Sequence, residues 1–167
     1  VLPIVGGSRP EYLDAAVVVT MMGKGVFPED HPLDAEHTGS NGTLVGNHMT
    51  KNADVILAVG TRFAEQTSSS FLDGMSFSIP PTEIIHLDID PTEIGKNYPT
   101  AVGAVCDAKA GLNDLYDALV DHNGAEGIDR PEYRSEIAKL REEWKQMLTG
   151  RWTGNLSLSQ VLHKSRE

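Results

Sequence analysis

Five short apolar runs, each bounded by turn-forming residues, constrain the fold of this chain more than any other feature. They cover residues 2–5, 16–20, 54–60, 83–89 and 101–105. The runs are rich in β-branched residues and show little polar alternation, which is typical of strands buried on both faces of a parallel sheet. Segments with helical periodicity lie between or after them, at 43–52 and 108–120. The sequence therefore predicts an α/β fold, a doubly wound, mostly parallel sheet with helices on both faces.

The connection between the first two runs is too short for this arrangement. Only residues 8–14 are clearly available between them, whereas a crossover between parallel strands takes a dozen or more residues. Either the two runs are not neighbouring parallel strands, or the sequence lacks a segment between Gly7 and Ala15. We favour the second interpretation.

The pattern changes after residue 122. Residues 123–129 carry turn-forming residues and indicate a linker, and a strongly amphipathic helix follows from Arg130. Its apolar residues recur three to four positions apart, at Tyr133, Ile137, Leu140, Trp144 and Met147. After a second linker, a further helix is predicted to begin with Ser157 or Ser159 as its N-cap.

We therefore divide the chain into three parts. They are a central α/β domain (1–122), a linker with the amphipathic helix (123–156) and the start of a following domain (157–167). The first residue is Val1 rather than Met, and the last helical pattern has no stop signal. We expect the sequence to be a fragment of a longer polypeptide.

Charge and composition exclude several classes of protein. The 167 residues carry a formal net charge of −10 and no basic run, which argues against binding of nucleic acid. The longest apolar runs, such as 55–59, are far shorter than the roughly 20 residues of a membrane span. The single cysteine, Cys106, excludes an intramolecular disulfide and is compatible with a reducing cytoplasm. We expect a cytoplasmic protein that binds neither nucleic acid nor membrane.

Glycine and polar residues follow four of the predicted strands. These strand ends are Gly6 and Gly7, 20–25, 60–63 and 88–97. Ligands of open α/β sheets bind outside the carboxyl ends of the strands, and glycines allow their close approach. Arg62 could stack on a flat ring or hold a phosphate, and the 39–43 loop precedes a helix N-terminus that can bind an anion. Each feature alone also fits a structural role, but four at the ends of one sheet favour a ligand site.

Three carboxylates, Asp88, Asp90 and Glu93, follow the fourth predicted strand. The segment has the form of a capping box, in which Asp90 caps a short helix, Pro91 takes its first position and Glu93 reaches back. Glu93 could instead turn outward to a ribose hydroxyl, and Asp88 stays unassigned. A metal site would need further ligands nearby. His86, on the same strand, is interpreted as a hydrogen-bonded core residue.

The remaining reactive side chains are interpreted as structural. Cys106 is predicted to be a small buried hydrophobe before a helix N-cap at Asp107. His31 and His37 have a spacing that matches no zinc motif, and no G-x-S-x-G occurs. The sequence therefore predicts neither a catalytic nucleophile nor a metal site.

Four segments together resemble a known family. They are "VVVTMMGKGVFPEDHPLDAEHTGSNGT", "ADVILAVGTRF", "IIHLDIDPTEIGKN" and "DAKAGLNDL". In order and spacing they resemble the central domain of thiamine-diphosphate-dependent enzymes, especially the large, catalytic subunit of acetolactate synthase. The resemblance covers roughly residues 1–150, and the final residues resemble the start of the following, diphosphate-binding domain.

The resemblance implies a six-stranded parallel sheet of the Rossmann-like FAD- and NAD-binding type. It also implies a parent enzyme that decarboxylates a 2-keto acid and joins it to a second carbonyl compound, with thiamine diphosphate and magnesium as cofactors. In this family the catalytic glutamate lies in the preceding domain and the G-D-G motif for the diphosphate lies in the following one. No G-D-G occurs here, so the resemblance predicts that this fragment carries no catalytic residue.

The central domain of acetolactate synthases holds FAD, and related enzymes use the same domain for ADP or for no ligand. The resemblance implies the following contacts: Gly6, Gly7, Thr20, Met21, Met22, Thr38, Gly39, Ser40, Gly60, Thr61, Arg62, Glu93, Ile94 and Asp107, with Ala108 beside the last. This chain departs from the flavin-binding pattern at Ser8, Ser40, Asn41, Ala64 and Cys106.

Two interpretations therefore stay open: a domain that binds FAD or ADP, and a structural or interaction domain with an empty pocket. A free-standing NAD-binding protein of the deacetylase type is disfavoured, because the chain has no zinc-binding cysteines and no catalytic histidine motif. The expected partners are the flanking domains of the same polypeptide, and the resemblance implies a homodimer or tetramer for the parent enzyme.

Overall fold

Strands and helices follow one another along the chain much as the apolar runs predict. The computed structural model describes residues 10–150. In chain order the elements are α1 (Pro10–Leu13), β1 (Val17–Val19), β2 (Asp34–His37), α2 (Leu44–Lys51), β3 (Val55–Val59), β4 (Glu83–Asp88), β5 (Val102–Val105), α3 (Ala108–Asn123) and α4 (Pro131–Gly150). Two short 3-10 turns occupy Met21–Gly23 and Ser69–Phe71. The four strands predicted at 16–20, 54–60, 83–89 and 101–105 are confirmed as β1, β3, β4 and β5.

The strands are parallel but do not form one sheet of about six strands within the described residues. β1 pairs with β2, and a second sheet has the order β3-β4-β5. The predicted strand at 2–5, with Gly6 and Gly7, lies outside the described residues, and α1 occupies part of the short connection before β1. The interpretation that the sequence lacks a segment here stays a prediction.

Successive side chains of a strand point to opposite sides of the sheet, and helices cover both of these sides. On one side, Ile56 and Ala58 of β3 belong to a core that also contains Val45 of α2 and Ile137 of α4. On the other side, the neighbouring residues of β3 pack in a second core with Leu112 of α3. The prediction of helices on both faces is confirmed.

Strand β2 is the element that the sequence does not predict. Its residues are Asp34, Ala35, Glu36 and His37, with neither the apolar run nor the β-branched residues of the other strands. Asp34 and Ala35 are nonetheless almost fully buried. The burial comes from β1, α2 and α4, which all contact β2, and a local pattern cannot reveal it.

Helix α4 is confirmed as the predicted amphipathic helix. It begins at Pro131, a residue favoured at the first helical position. Ile137 and Leu140 are buried in the core, and Tyr133 and Trp144 pack against its edge. Met147, the last member of the predicted stripe, is 44% exposed, so the stripe packs only over its first four members.

The acidic segment after β4 differs from its prediction. Residues 91–95 form successive turns rather than a short helix. Asp90 caps the first turn through Oδ1, which accepts from the backbone N–H of Thr92 at 2.9 Å. The N–H of Asp90, which Glu93 would have accepted in a capping box, donates instead to Oδ1 of Asp88 at 2.9 Å. Gly95, with φ of 71°, stops the segment from continuing as a helix.

Of three structural interpretations, those of His86 and Asp107 hold, and that of Cys106 holds in part. His86 is 1% exposed, and its Nε2 lies 2.9 Å from the carbonyl oxygen of Thr61. Cys106 is partly buried against the α3 side of the core. Asp107 caps α3 by accepting from the N–H of Ala110 at 3.0 Å. The helix predicted near Ser157 or Ser159 lies outside the described residues.

Candidate functional site at the carboxyl ends of the strands

The predicted contact residues lie where the parallel strands end. Thr20 follows β1, Thr38 follows β2 and Thr61 follows β3. These three threonines line one small cavity of about 20 Å³, together with Thr50 and Thr67, and we call it the threonine cavity. The structure therefore brings the ends of both sheets together, although the space between them is about the size of a single water molecule.

Asn47 of α2 holds the loop after β2 in place. Its Oδ1 accepts from the hydroxyl of Thr38 at 2.9 Å, from the N–H of Gly39 at 2.9 Å and from the hydroxyl of Ser76 at 3.0 Å. Its Nδ2 donates to the carbonyl oxygen of Gly39 at 3.1 Å. The sequence reasoning missed Asn47; an asparagine inside a helix, where it is unfavourable, was the available signal.

Gly39 and Ser40 use their backbone groups within the protein. The N–H of Ser40 donates to the carbonyl oxygen of Gln66 at 2.8 Å. Gly39 has φ of 116°, and a Cβ there would lie 2.3 Å from the same oxygen. A glycine is therefore required at position 39 by the approach of the 66–67 backbone. The N–H groups of these two predicted contact residues are therefore already engaged.

The 3-10 turn after β1 exposes two of the predicted residues. Thr20 caps it, since its hydroxyl accepts from the N–H of Gly23 at 3.2 Å. Met21 is 50% exposed and Met22 is 94% exposed. The side chains predicted to contact a cofactor here project from the surface and do not line the threonine cavity.

The ends of β3 and β4 leave room for a ligand. Gly60 has φ of 60°, and no atom lies within 4 Å of a Cβ built there. Arg62 is exposed, and its carbonyl oxygen accepts from the Nδ2 of Asn97 at 2.8 Å. This hydrogen bond ties the loop after β3 to the loop after β4, so both loops form one surface.

Glu93 carries the least satisfied group of this surface. Its side chain is 12% exposed, and Oε1 pairs with the Nζ of Lys96 at 2.9 Å. Its Oε2 is buried and has no hydrogen-bond partner among the described residues. A buried carboxylate oxygen without a donor is costly, so a ligand hydroxyl or amine that reached this atom would be a favourable partner for it. The neighbouring Ile94 packs over Gly103 of β5.

The described residues therefore fit a nucleotide over only part of the predicted surface. The ends of β3 and β4 offer open space, a cation at Arg62 and the unpaired oxygen of Glu93. The loop at 38–40 offers groups that are already hydrogen-bonded. Asp107, at the end of β5, is exposed and caps α3.

Two further findings concern residues 10–150. No group of three or more His, Cys, Asp or Glu side chains in this part of the chain could hold a metal ion. None of its helices combines the length and apolar character needed to cross a membrane.

Comparison with known proteins identifies the domain. The family model described as "Thiamine pyrophosphate enzyme, central domain" matches residues 10–115. A probable acetolactate synthase large subunit of Methanocaldococcus jannaschii is 42% identical over 132 residues, 79% of this chain and 21% of the relative. A sulfoacetaldehyde acetyltransferase of Roseovarius nubinhibens is 38% identical over 141 residues, 83% of this chain and 23% of the relative.

A probable chloroplastic acetolactate synthase 2 of Oryza sativa is 34% identical over 131 residues, 77% of this chain and 19% of the relative. The chain thus spans about a fifth of the length of these curated relatives. The family match covers most of the described residues, including all five strands. The resemblance seen in the sequence is confirmed, and the chain belongs to the family of thiamine pyrophosphate enzyme central domains.

Proposed function

We propose that this chain is the central domain of an acetolactate synthase-like enzyme, which decarboxylates a 2-keto acid and joins it to a second carbonyl compound. Bound thiamine diphosphate would supply stabilisation of the carbanion that decarboxylation leaves. Residues 10–150 contain no metal-binding cluster, so we assign magnesium and the diphosphate to other domains of a longer polypeptide. In this proposal the central domain performs no bond-making step itself.

The role proposed for the domain is to bind an adenine nucleotide at the ends of β3 and β4. The observation that carries this proposal is the buried, unpaired Oε2 of Glu93, which can accept a ribose hydroxyl. Arg62 is exposed and lies two residues after Gly60, where a ligand can approach the backbone closely. A guanidinium suits a phosphate or the face of an adenine ring.

An ADP-sized ligand agrees better with this surface than a complete flavin dinucleotide. A flavin ring would extend toward the predicted contacts after β1 and β2. There the threonine cavity holds about 20 Å³, and Asn47 and Gln66 already occupy the backbone groups of residues 39 and 40. FAD binding would require this loop to rearrange, whereas ADP binding at the ends of β3 and β4 would not involve it.

A structural role is the second candidate, and the network around Asn47 favours it. The network fills the loop after β2 with internal hydrogen bonds, as expected for a pocket that no longer holds a ligand. Met21 and Met22 then present apolar surface to the flanking domains or to a second subunit. In this case the domain positions the catalytic domains of a homodimer or tetramer and binds no nucleotide.

Calorimetric titration of the 167-residue chain with ADP and with FAD distinguishes the two candidates, with circular dichroism as the check on folding. We expect ADP to bind more tightly than FAD. Glu93→Gln should weaken ADP binding by about tenfold, the effect of a hydrogen bond to a charged group. The matched control is Glu83→Gln, because Glu83 is exposed at the opposite end of β4. If neither nucleotide binds the folded chain at high micromolar concentration, the nucleotide role is wrong and the structural role stands.

A further inference from the structure

A second, larger cavity lies between β2 and α4. Its volume is about 340 Å³, which is within the range of small-molecule sites. It shares no residue with the surface proposed to bind a nucleotide, which comprises Gly60, Arg62 and Glu93 and is called the nucleotide surface below. The lining side chains that matter here are Phe27, Asp34, Glu36, His37, Arg141 and Trp144. We call it the β2–α4 cavity.

Asp34 places a carboxylate in the wall of this cavity. The residue is 2% exposed, and the N–H of Glu36 donates to its side chain. Burial raises the pKa of Asp34 to about 6, although the positive charge of Arg141 acts to lower it. Asp34 is therefore mainly ionised at neutral pH in a place where its charge has lost most of its hydration.

Glu36 adds a second carboxylate, in a residue with an unusual backbone conformation and an unpaired oxygen. Its φ of 60° is in the left-handed region, which is uncommon for a residue with a side chain. Its Oε2 is buried and has no hydrogen-bond partner among the described residues. Backbone strain and an unsatisfied carboxylate oxygen in one residue are both costly, and such features concentrate at functional sites.

The cations around the cavity offset the charge of these two carboxylates only in part. The guanidinium of Arg141 donates to the backbone carbonyl oxygens of Glu29 at 2.7 Å and His31 at 3.2 Å. The Nζ of Lys24 pairs with Oε1 of Glu29 at 2.5 Å. Apart from His37, the lining therefore holds two cations, Lys24 and Arg141, against the three carboxylates of Glu29, Asp34 and Glu36, an excess of one negative charge.

Aromatic rings complete the cavity. Trp144 follows Arg141 by three residues on α4, so both side chains lie on the helix face that lines the cavity. Phe27 lines it from the loop after β1. An aromatic face attracts a cation as well as apolar groups.

We propose that the β2–α4 cavity binds a small organic cation, a primary amine or guanidine on a short apolar body. The N–H groups of its head donate to the carboxylates of Asp34 and Glu36, and its body packs against Trp144. An organic cation fits better than a metal ion, because the described residues offer no cluster of three metal-ligating side chains. This site is independent of the nucleotide surface.

The test uses the 167-residue chain with agmatine and putrescine as probes and 1,4-butanediol as the matched neutral control. The diol has the carbon chain of putrescine with hydroxyl groups in place of the amines. Binding is followed by calorimetry and by the fluorescence of Trp144, in a Trp152→Phe background that leaves it the only tryptophan. We expect saturable binding of at least one amine at one site and none of the diol.

Glu36→Gln should weaken amine binding by about tenfold, because it removes the charge from the acceptor. Glu126→Gln, an exposed carboxylate of the linker, should leave binding unchanged. Glu36→Gly is the second variant, since glycine accepts a positive φ and should keep the fold intact. Equal response to amine and diol, absence of binding at millimolar concentration, or unchanged binding in folded Glu36→Gly would each overturn the proposal. Failure of the natural chain to bind ADP would contradict only the nucleotide role proposed above.

Discussion

The carboxylate of Asp14, which follows α1, accepts hydrogen bonds from the guanidinium of Arg134 and from the backbone N–H of Arg130. Asp14 and Arg134 are 120 residues apart in the chain, and the Asp14 side chain is 3% exposed. Burial acts to raise the pKa of Asp14, but the hydrogen bonds and charges of Arg134 and Arg130 outweigh it, and the pKa is lowered. This ion pair joins the segment before β1 to the first turn of α4.

Arg134→Ala should therefore destabilise the fold, because it leaves a buried carboxylate with one donor fewer. We expect a loss of about 2 kcal/mol in urea unfolding at pH 7. A carboxylate whose folded pKa is lowered stabilises the fold above its unfolded pKa and loses this effect as the pH falls. The difference between the two proteins should accordingly shrink below about pH 4.

The control for this variant is Lys139→Ala, which removes an exposed i,i+4 pair with Glu143 at 3.9 Å. It should change the free energy of unfolding by less than about 0.5 kcal/mol. Equal losses for Arg134→Ala and Lys139→Ala would show that the buried pair with Asp14 contributes nothing beyond a surface contact.

The sequence predicts the elements whose signals are local. β3 and β4 are apolar runs, and α4 shows its stripe in the spacing of Ile137 and Leu140. β2 could not be predicted, because Asp34 and Glu36 are polar and the burial of Asp34 comes from the packing of β1, α2 and α4 on β2. The predicted helix at Asp90 failed for a related reason: Asp88 takes the N–H that the capping box needs.

The residues of the candidate site also divide into those that the sequence identifies and those that it does not. Thr20, Thr38 and Thr61, contacts that the family resemblance implies, line one cavity at the ends of the strands. Ser76, which shares the Oδ1 of Asn47 with Thr38, was out of reach of the sequence, because it lies 29 positions beyond Asn47 in the chain. Whether a backbone N–H is available to a ligand depends on such distant partners.

Asn47→Ala should reveal how much this network contributes. The substitution removes the acceptor of three donors, two of them on Thr38 and Gly39, so we expect a loss of about 2 to 4 kcal/mol in urea unfolding. Asn52→Ala is the matched control, because the side chain of Asn52 makes one exposed hydrogen bond, to the carbonyl oxygen of His48 at 2.8 Å. A loss for Asn47→Ala no larger than that for Asn52→Ala would contradict the role given to the network.

Asp34→Asn should stabilise the protein at neutral pH. The raised pKa of about 6, against 3.8 for an ordinary aspartate, means that burial penalises the charged form in the folded state. The stability of the natural protein should fall as the pH rises from about 4 to about 6 and then stay level. Asparagine keeps an acceptor for the N–H of Glu36 without the charge, so the variant should gain on the order of 1 to 3 kcal/mol at pH 7.

The measurement is urea unfolding of both proteins between pH 4 and pH 8. The two free energies of unfolding should converge toward pH 4, where Asp34 is protonated in the folded state. A variant that is less stable at pH 7, or a gain that does not depend on pH, would show that the Asp34 charge is compensated in the fold.

Glu36→Gly should also stabilise the protein, because it relieves a positive φ and removes the unpaired Oε2. Glu36→Ala is the matched comparison: it removes the carboxylate but keeps a Cβ at φ of 60°. In thermal unfolding, Glu36→Gly should be more stable than Glu36→Ala by about 1 kcal/mol, which is the strain of a left-handed residue. Equal stability of the two variants would mean that the backbone at position 36 is unstrained.

Substitution by alanine should destabilise the protein far more at one glycine than at another. A Cβ at Gly46 of α2 would lie 2.1 Å from the carbonyl oxygen of His37, so α2 and the end of β2 would have to separate. We expect Gly46→Ala to cost about 3 kcal/mol or more in urea unfolding. Gly60→Ala meets no atom within 4 Å and bears only the strain of φ at 60°, which is about 1 to 2 kcal/mol.

The same pair tests the packing on which the candidate site rests. If α2 lies directly against β2, Gly46→Ala should lower the urea midpoint more than Gly60→Ala, because only the former moves backbone atoms. A smaller effect at Gly46 would mean that α2 is free to shift away from β2. The loop at Thr38 and Gly39, which α2 holds through Asn47, would then be adjustable, and this end of the surface could accommodate a flavin.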